Sequence, residues 1–118
     1  EYPQIASVYL NRLHKDMLLQ ADPTVAFIYD YKPKRILKKH LDTPSPYNTY
    51  KNKGLPPGPI CVPPKACIEA VLDPAREDYM YFCADPSFNG THRFAVTYKE
   101  HKKNADEFHK ALNARDRK

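Results

Sequence analysis

The sequence predicts an α+β domain of three to four helices with a small antiparallel sheet. Three observations lead to this class. Apolar residues recur at helical spacing near both ends of the chain. Between residues 79 and 97, two short runs rich in aromatic residues flank a strong turn signal. The middle is punctuated by proline: seven of the chain's twelve prolines fall between Pro44 and Pro64, where regular structure loses its backbone donors.

The elements follow in order. Glu1–Met17 reads as a helix, with Pro3 in the first turn, where its missing N–H costs nothing. Ile5, Val8, Tyr9, Leu13 and Met17 make its apolar stripe. After a short link, Asp22 caps a second helix over Pro23–Tyr31, and Pro33 ends it. Lys34–Leu41 is a basic amphipathic piece. Residues 43–64 form a Pro-rich loop. Its anchors Tyr47, Tyr50, Leu55, Ile60 and Val62 distinguish it from a linker and mark it as ordered and functional. A third helix covers Pro64–Leu72, with Ala66, Cys67, Ala70 and Val71 on one face. A hairpin follows over 79–84 and 92–97, turned by Asp85-Pro86-Ser87-Phe88-Asn89-Gly90. A last helix runs from Tyr98 to Asn113 on the stripe His101, Ala105, Phe108 and Leu112. Residues 114–118 read as a frayed tail.

The 118 residues suit one domain with one core. No window approaches the ~20 apolar residues of a membrane span. Only three glycines are present, and neither phosphate-cradling motif, GxGxxG nor GxxxxGK[ST], occurs. Cys61, Cys67 and Cys83 lack CxxC spacing, which argues against structural zinc. They read as small buried apolar residues; in an oxidising compartment a Cys61–Cys83 or Cys67–Cys83 bridge is open to them. The formal charge is +5. Seven Lys or Arg lie in Lys32–Lys53 against the single acid Asp42, and seven more in Lys99–Lys118. Such clusters suit an anionic polymer; a solvated surface accounts for them as well.

The richest run is Tyr47-Asn48-Thr49-Tyr50, followed by Gly54-Leu55-Pro56-Pro57-Gly58-Pro59-Ile60. Two tyrosines bracketing an amide and a hydroxyl combine stacking on an apolar sugar face with hydrogen bonds to its polar edge. Gly54 and Gly58 let the backbone turn or approach a ligand, and the prolines lower the entropy cost of presenting it. By themselves these residues also fit a Pro-rich loop that only packs. Gln20-Ala21-Asp22-Pro23-Thr24 is a helix start whose Gln20 amide is spare for a ligand. His92 and Phe94 share one strand face, and Thr97 and His101 follow.

In sequence order, Ala6-Ser7-Val8-Tyr9-Leu10-Asn11-Arg12-Leu13, Met17-Leu18-Leu19-Gln20-Ala21-Asp22-Pro23-Thr24-Val25, Tyr47–Tyr50, Gly54–Ile60 and the group His92, Phe94 and His101 resemble the endolytic murein transglycosylases, the MltG or YceG-like proteins. The resemblance covers nearly the whole chain, and its specificity lies in the combination. It implies a lysozyme-like cleft formed with the Pro-rich loop. It implies a lyase that cuts peptidoglycan glycan strands internally at the MurNAc–GlcNAc β-1,4 bond and leaves 1,6-anhydro-MurNAc ends. No metal or cofactor is implied. One Glu protonates the leaving oxygen, and its conjugate base assists the muramyl 6-hydroxyl in closing the ring.

The chain departs from the family at that Glu. The family's acid lies on the helix of Ile5–Leu13, about two helical turns before Glu1. No residue of this chain therefore takes the catalytic role, and the chain reads as the C-terminal portion of a catalytic domain. Glu1 matches a less specific acidic position; Glu69, Glu77, Glu100 and Glu107 match none. For substrate binding the resemblance implies Gln20, Asp22 and Thr24 at the second helix, Tyr47, Asn48, Thr49 and Tyr50 along the cleft with Gly54, Pro57 and Gly58, and His92. Asn48 and Gln20 would meet acetamido or ring oxygens, and Tyr47 or Tyr50 would be the sugar platform. The implied partners are peptidoglycan strands and peptidoglycan synthases, without nucleic acid. The implied location is the cell envelope, with the parent anchored in the inner (cytoplasmic) membrane through a segment absent here. The alternative is a non-catalytic basic module that binds cell-wall polymer or nucleic acid through Lys32–Lys53, with strongly salt-dependent affinity.

Overall fold

The computed structural model describes residues 1–116. The order of elements is α1 (Tyr2–His14), α2 (Asp22–Ile28), α3 (Lys38–Leu41), α4 (Lys65–Leu72), β1 (Tyr81–Ala84), β2 (His92–Ala95) and α5 (Tyr98–Asp116). The class is α+β, with five helices and one two-stranded antiparallel sheet among the described residues. No helix among them is long and apolar enough to cross a membrane. The chain divides into two compact units: Glu1–Asn11 with Lys65–Lys118, and Arg12–Pro64.

The first unit is built on the hairpin. β1 and β2 pair Tyr81 with Ala95, Phe82 with Phe94, Cys83 with Arg93 and Ala84 with His92. Alternation along a strand sends Phe82, Ala84, His92 and Phe94 to one face and Tyr81, Cys83, Arg93 and Ala95 to the other. The second face meets α5: Tyr81 stacks on His101 at 5.0 Å, and Arg93 pairs with Glu107 of α5 and Asp85 of the turn. The first face meets the start of α1 through Tyr9 against Phe82 at 5.7 Å. Asn11 donates to the carbonyls of Glu77 and Tyr79, and Ala75 N–H donates to Pro3; these bonds hold the segment entering β1 against the helix. The buried apolar residues are Ala6, Val8, Ala70, Met80 and Ala95.

The predicted strands are each two residues too long. β1 starts at Tyr81, although Met80 N–H still donates to Ala95 O. β2 stops at Ala95, and Thr97 turns its hydroxyl to the N–H of Glu100, an N-cap for α5. The turn chemistry is the anticipated kind: Asp85 accepts from Ser87 N–H, and Asn89 from Thr91 N–H. α4 buries only Ala70; Ala66 and Val71, assigned to its inner face, are exposed. The cysteines need a similar correction. Cys61 is exposed, Cys67 and Cys83 are half-buried, and all three are free thiols.

The second unit has few regular hydrogen bonds and a polar interior. Its buried residues are Arg12, Leu19, Thr24, Val25, Asn48 and Thr49. Helix ends explain two further departures. α1 stops at His14 and not Met17 because Asp16 is left-handed (φ 55°): Met17 N–H reaches back to Arg12 O and Asp16 N–H to Leu13 O. That bonding is a Schellman closure, with Asp in the place usually held by Gly. α2 ends at Ile28, three residues before the expected end, by the same device. Asp30 (φ 57°) donates to Phe27 O, and Tyr31 N–H to Ala26 O. Residues 34–41 contribute the single turn α3, whose Leu37 N–H is accepted by His40 Nδ1 at 2.8 Å.

Candidate functional site

Of the eleven candidate binding residues, all but His92 belong to the second unit. Thr49 is the hub that joins the α2 start to the Pro-rich loop. It is buried; its hydroxyl accepts from Ala21 N–H at 2.9 Å and lies 2.9 Å from the Thr24 hydroxyl. Its carbonyl accepts from Gln20 N–H at 3.2 Å. Thr24 also donates to Ala21 O at 2.7 Å. Thr24 and Thr49 therefore satisfy each other and the backbone.

Asn48 is 0% exposed. Its amide donates to Leu41 O at 2.9 Å and Thr43 O at 2.8 Å, and its side-chain oxygen accepts from Tyr50 N–H at 2.9 Å. Both amide protons are used, so the geometry makes Asn48 the frame of the loop and corrects its reading as a direct sugar contact. Asn52 adds a second tie, donating to Ser45 O and Asn48 O.

Asp22 also changes role. The N-cap of α2 is Ala21, without a side-chain bond, and Asp22 is a first-turn residue. Its carboxylate favours the positive end of the helix and accepts from the Tyr50 hydroxyl. The Tyr47 ring lies 4.9 Å from Phe27. Its hydroxyl sits where a Cβ on Gly58 would approach within 3.1 Å, so a side chain there would press on the Tyr47 hydroxyl. Gly54 turns the chain at φ +81°. Pro57 is exposed on the same loop.

Gln20 is exposed and left-handed (φ 48°), a conformation that side-chain-bearing residues adopt only when their surroundings hold them. Here Thr49 O takes its N–H, and Arg12 Nη1 approaches its side-chain oxygen at 3.4 Å. Its side-chain nitrogen has no protein partner among the described residues. Arg12 lies outside the eleven sequence candidates. It is 6% exposed and donates to Leu18 O at 2.7 Å. The signal was present: position 12 follows Ile5 and Val8 on the apolar stripe of α1, where a guanidinium is out of place unless it organises polar groups.

In the first unit, His92 meets Glu1. One carboxylate oxygen accepts from His92 N–H at 3.0 Å, and the other lies 3.0 Å from Nδ1. The imidazole side-chain bond, then the backbone bond, hold the Glu1 carboxyl below its usual range. Among the described residues, no group of three or more His, Cys, Asp or Glu side chains gathers to hold a metal.

Comparisons with known proteins identify the family. Residues 1–107 match the model of the YceG-like family. An endolytic murein transglycosylase of Bacillus subtilis (strain 168) is 46% identical over 110 residues, which are 93% of this chain and 30% of that protein. One of the same name from Streptococcus pneumoniae D39 is 35% identical over 108 residues, 87% of this chain and 19% of that protein. The chain thus spans less than a third of the length of these relatives. The crystal structure of a yceG-like protein from Listeria monocytogenes superposes with a TM-score of 0.80 at 48% identity, over 86% of this chain and 33% of that one. By family model, sequence identity and backbone alike, the chain belongs to the YceG-like family.

Proposed function

We propose that this chain is part of an endolytic murein transglycosylase of the cell envelope, and that its Pro-rich loop binds the glycan strand. The 46% identity to a relative bearing that name is the observation that carries the reading. The loop chemistry supports it: half-buried Tyr47 and Tyr50 supply sugar platforms, and the Gln20 amide nitrogen supplies a donor for an acetamido or ring oxygen. Thr24, Thr49 and Asn48 keep these groups in place, Asp22 orients Tyr50, and Gly54, Pro57 and Gly58 shape the loop.

The general acid comes from the parent protein, upstream of Glu1. Glu1 itself is a poor candidate. A general acid in glycoside cleavage works with a raised pKa, whereas the two His92 bonds lower that of Glu1. In the reaction, the upstream Glu protonates the glycosidic oxygen as the C1–O bond breaks. The muramyl 6-hydroxyl oxygen then bonds to C1 and gives up its proton to the resulting carboxylate. The acid is restored, and the product ends in a 1,6-anhydro ring.

The test is the release of anhydro-muropeptides from murein sacculi, read by chromatography and mass spectrometry. The 118-residue chain alone is expected to release none, and a longer chain that includes the upstream helix is expected to release them. Release by the short chain refutes the upstream acid. Release by the longer chain after the upstream Glu is replaced by Gln refutes the catalytic assignment.

A further inference from the structure

The Glu1–His92 pair is a contact between titratable side chains that the loop chemistry leaves unused. We propose that Glu1 is a positioning residue: it holds His92 as the Nδ1–H tautomer, so that Nε2 is presented as a hydrogen-bond acceptor for a saccharide hydroxyl beside the aromatic face of the hairpin. The saccharide class rests on the function proposed above; the tautomer does not.

The proton assignment follows from valence. An ionised carboxylate only accepts hydrogen bonds. With Glu1 3.0 Å from Nδ1, that nitrogen carries the proton, and in the neutral form of the ring the lone pair lies on Nε2. The second carboxylate oxygen is engaged by the backbone N–H of the same histidine, so the pair is clamped at two points. Nε2 has no protein partner among the described residues, and the two side chains remain 30% and 32% exposed. The ring plane is held as well: Phe82 meets His92 nearly at right angles with centroids 5.7 Å apart.

The surroundings suit a sugar. Phe82, His92 and Phe94 share one face of the hairpin, and Tyr79 stacks on Phe94 at 5.1 Å. All four are half-buried. A partly exposed aromatic surface with one fixed acceptor at its edge matches a pyranose, which offers an apolar face and hydroxyl donors at its rim.

The experiment is long-range ¹H–¹⁵N correlation on the imidazoles of the uniformly ¹⁵N-labelled 118-residue chain at mildly alkaline pH. It is run alone and then with a soluble oligomer of N-acetylglucosamine. Expected for the unmodified chain are a protonated Nδ1 and an unprotonated Nε2 at His92, with the Nε2 resonance moving as sugar is added. Glu1→Ala is expected to move the proton to Nε2 and to weaken binding about five-fold, the loss of one neutral hydrogen bond. His92→Phe keeps the aromatic contact and should weaken binding to the same degree, with the amide resonances of Phe82 and Phe94 checking the fold. A His92 proton found on Nε2 in the unmodified chain overturns the proposal without needing any variant. A sugar response at Tyr47 and Tyr50 with His92 silent overturns it and leaves the glycan-binding function standing. No response anywhere overturns both.

Discussion

Asn48 donates both amide protons to main-chain carbonyls of Leu41 and Thr43 while accepting from Tyr50 N–H. In Asn48→Ala those three backbone groups lose their partner in a fully buried place. Each stranded group costs about 1–3 kcal/mol, partly relieved by rearrangement. The expected loss is about 2–4 kcal/mol in the stability of the Arg12–Pro64 unit, measured by urea denaturation. Sugar binding should fall in proportion to the unfolded fraction. A stable variant that has lost sugar binding would return Asn48 to the role of direct contact. The residue types of this site were legible in the sequence, as polar groups between tyrosines, but their division of labour was not. A carboxamide that holds a loop and one that holds a sugar look identical in a sequence, and only the carbonyls of Leu41 and Thr43, seven and five positions upstream, decide between them. Arg12 is hard to find in the sequence for a related reason: it sits on a stripe of apolar residues, although a buried guanidinium is its more informative occupant.

At the scale of elements, the helices were legible from periodicity and their ends were not. Two of the ends turn on an aspartate in the left-handed region, Asp16 and Asp30. The usual sequence signal for that closure is glycine, and this chain has three glycines in all, none of them at a helix end. Pro33 is therefore the stop signal that the sequence offers for α2, although the helix has already closed before it. The strained aspartate leads to a prediction. Asp30→Gly removes the Cβ penalty at φ 57° and breaks no side-chain contact among the described residues. The substitution is expected to stabilise the Arg12–Pro64 unit by about 0.5–1 kcal/mol, net of the greater freedom glycine gives the unfolded chain. Thermal unfolding checks it: a melting temperature unchanged or lowered means that the Asp30 side chain has a use that its backbone conformation does not reveal. Asp16 is the poorer choice for the same substitution, because its carboxylate accepts from Lys53 Nζ at 3.0 Å.

At the scale of the whole molecule, the α+β class could be read from the order of patterns, because period and turn chemistry are local properties. The division into two units could not. The apolar stripe of α1 continues at Leu13 beyond the boundary at Asn11 and Arg12, and the second unit surrounds Leu19 and Val25 with buried polar residues that no hydropathy reading assigns to an interior. Acid acts on two carboxyl groups of the first unit. In the first unit Glu1 and Asp85 both have lowered carboxyl pKa values, Glu1 through its bonds from His92 and Asp85 through its bonds from Ser87. A carboxyl whose folded pKa lies below its unfolded one contributes stability above the unfolded pKa. As pH falls, the unfolded chain takes up the proton first, and the contribution is lost through the folded value. The ordinary values are 4.5 for Glu1 and 3.8 for Asp85, so the loss begins just above them and continues below. Both groups are solvent-exposed enough for salt to weaken the effect. The double variant Glu1→Gln, Asp85→Asn is therefore expected to be less stable than the unmodified chain near neutral pH and to lose less of its stability on acidification. Urea midpoints taken across the acid range at low salt measure this: the two curves should converge as pH falls. Parallel curves would mean that the His92 and Ser87 bonds do not favour the ionised carboxylates over the protonated ones.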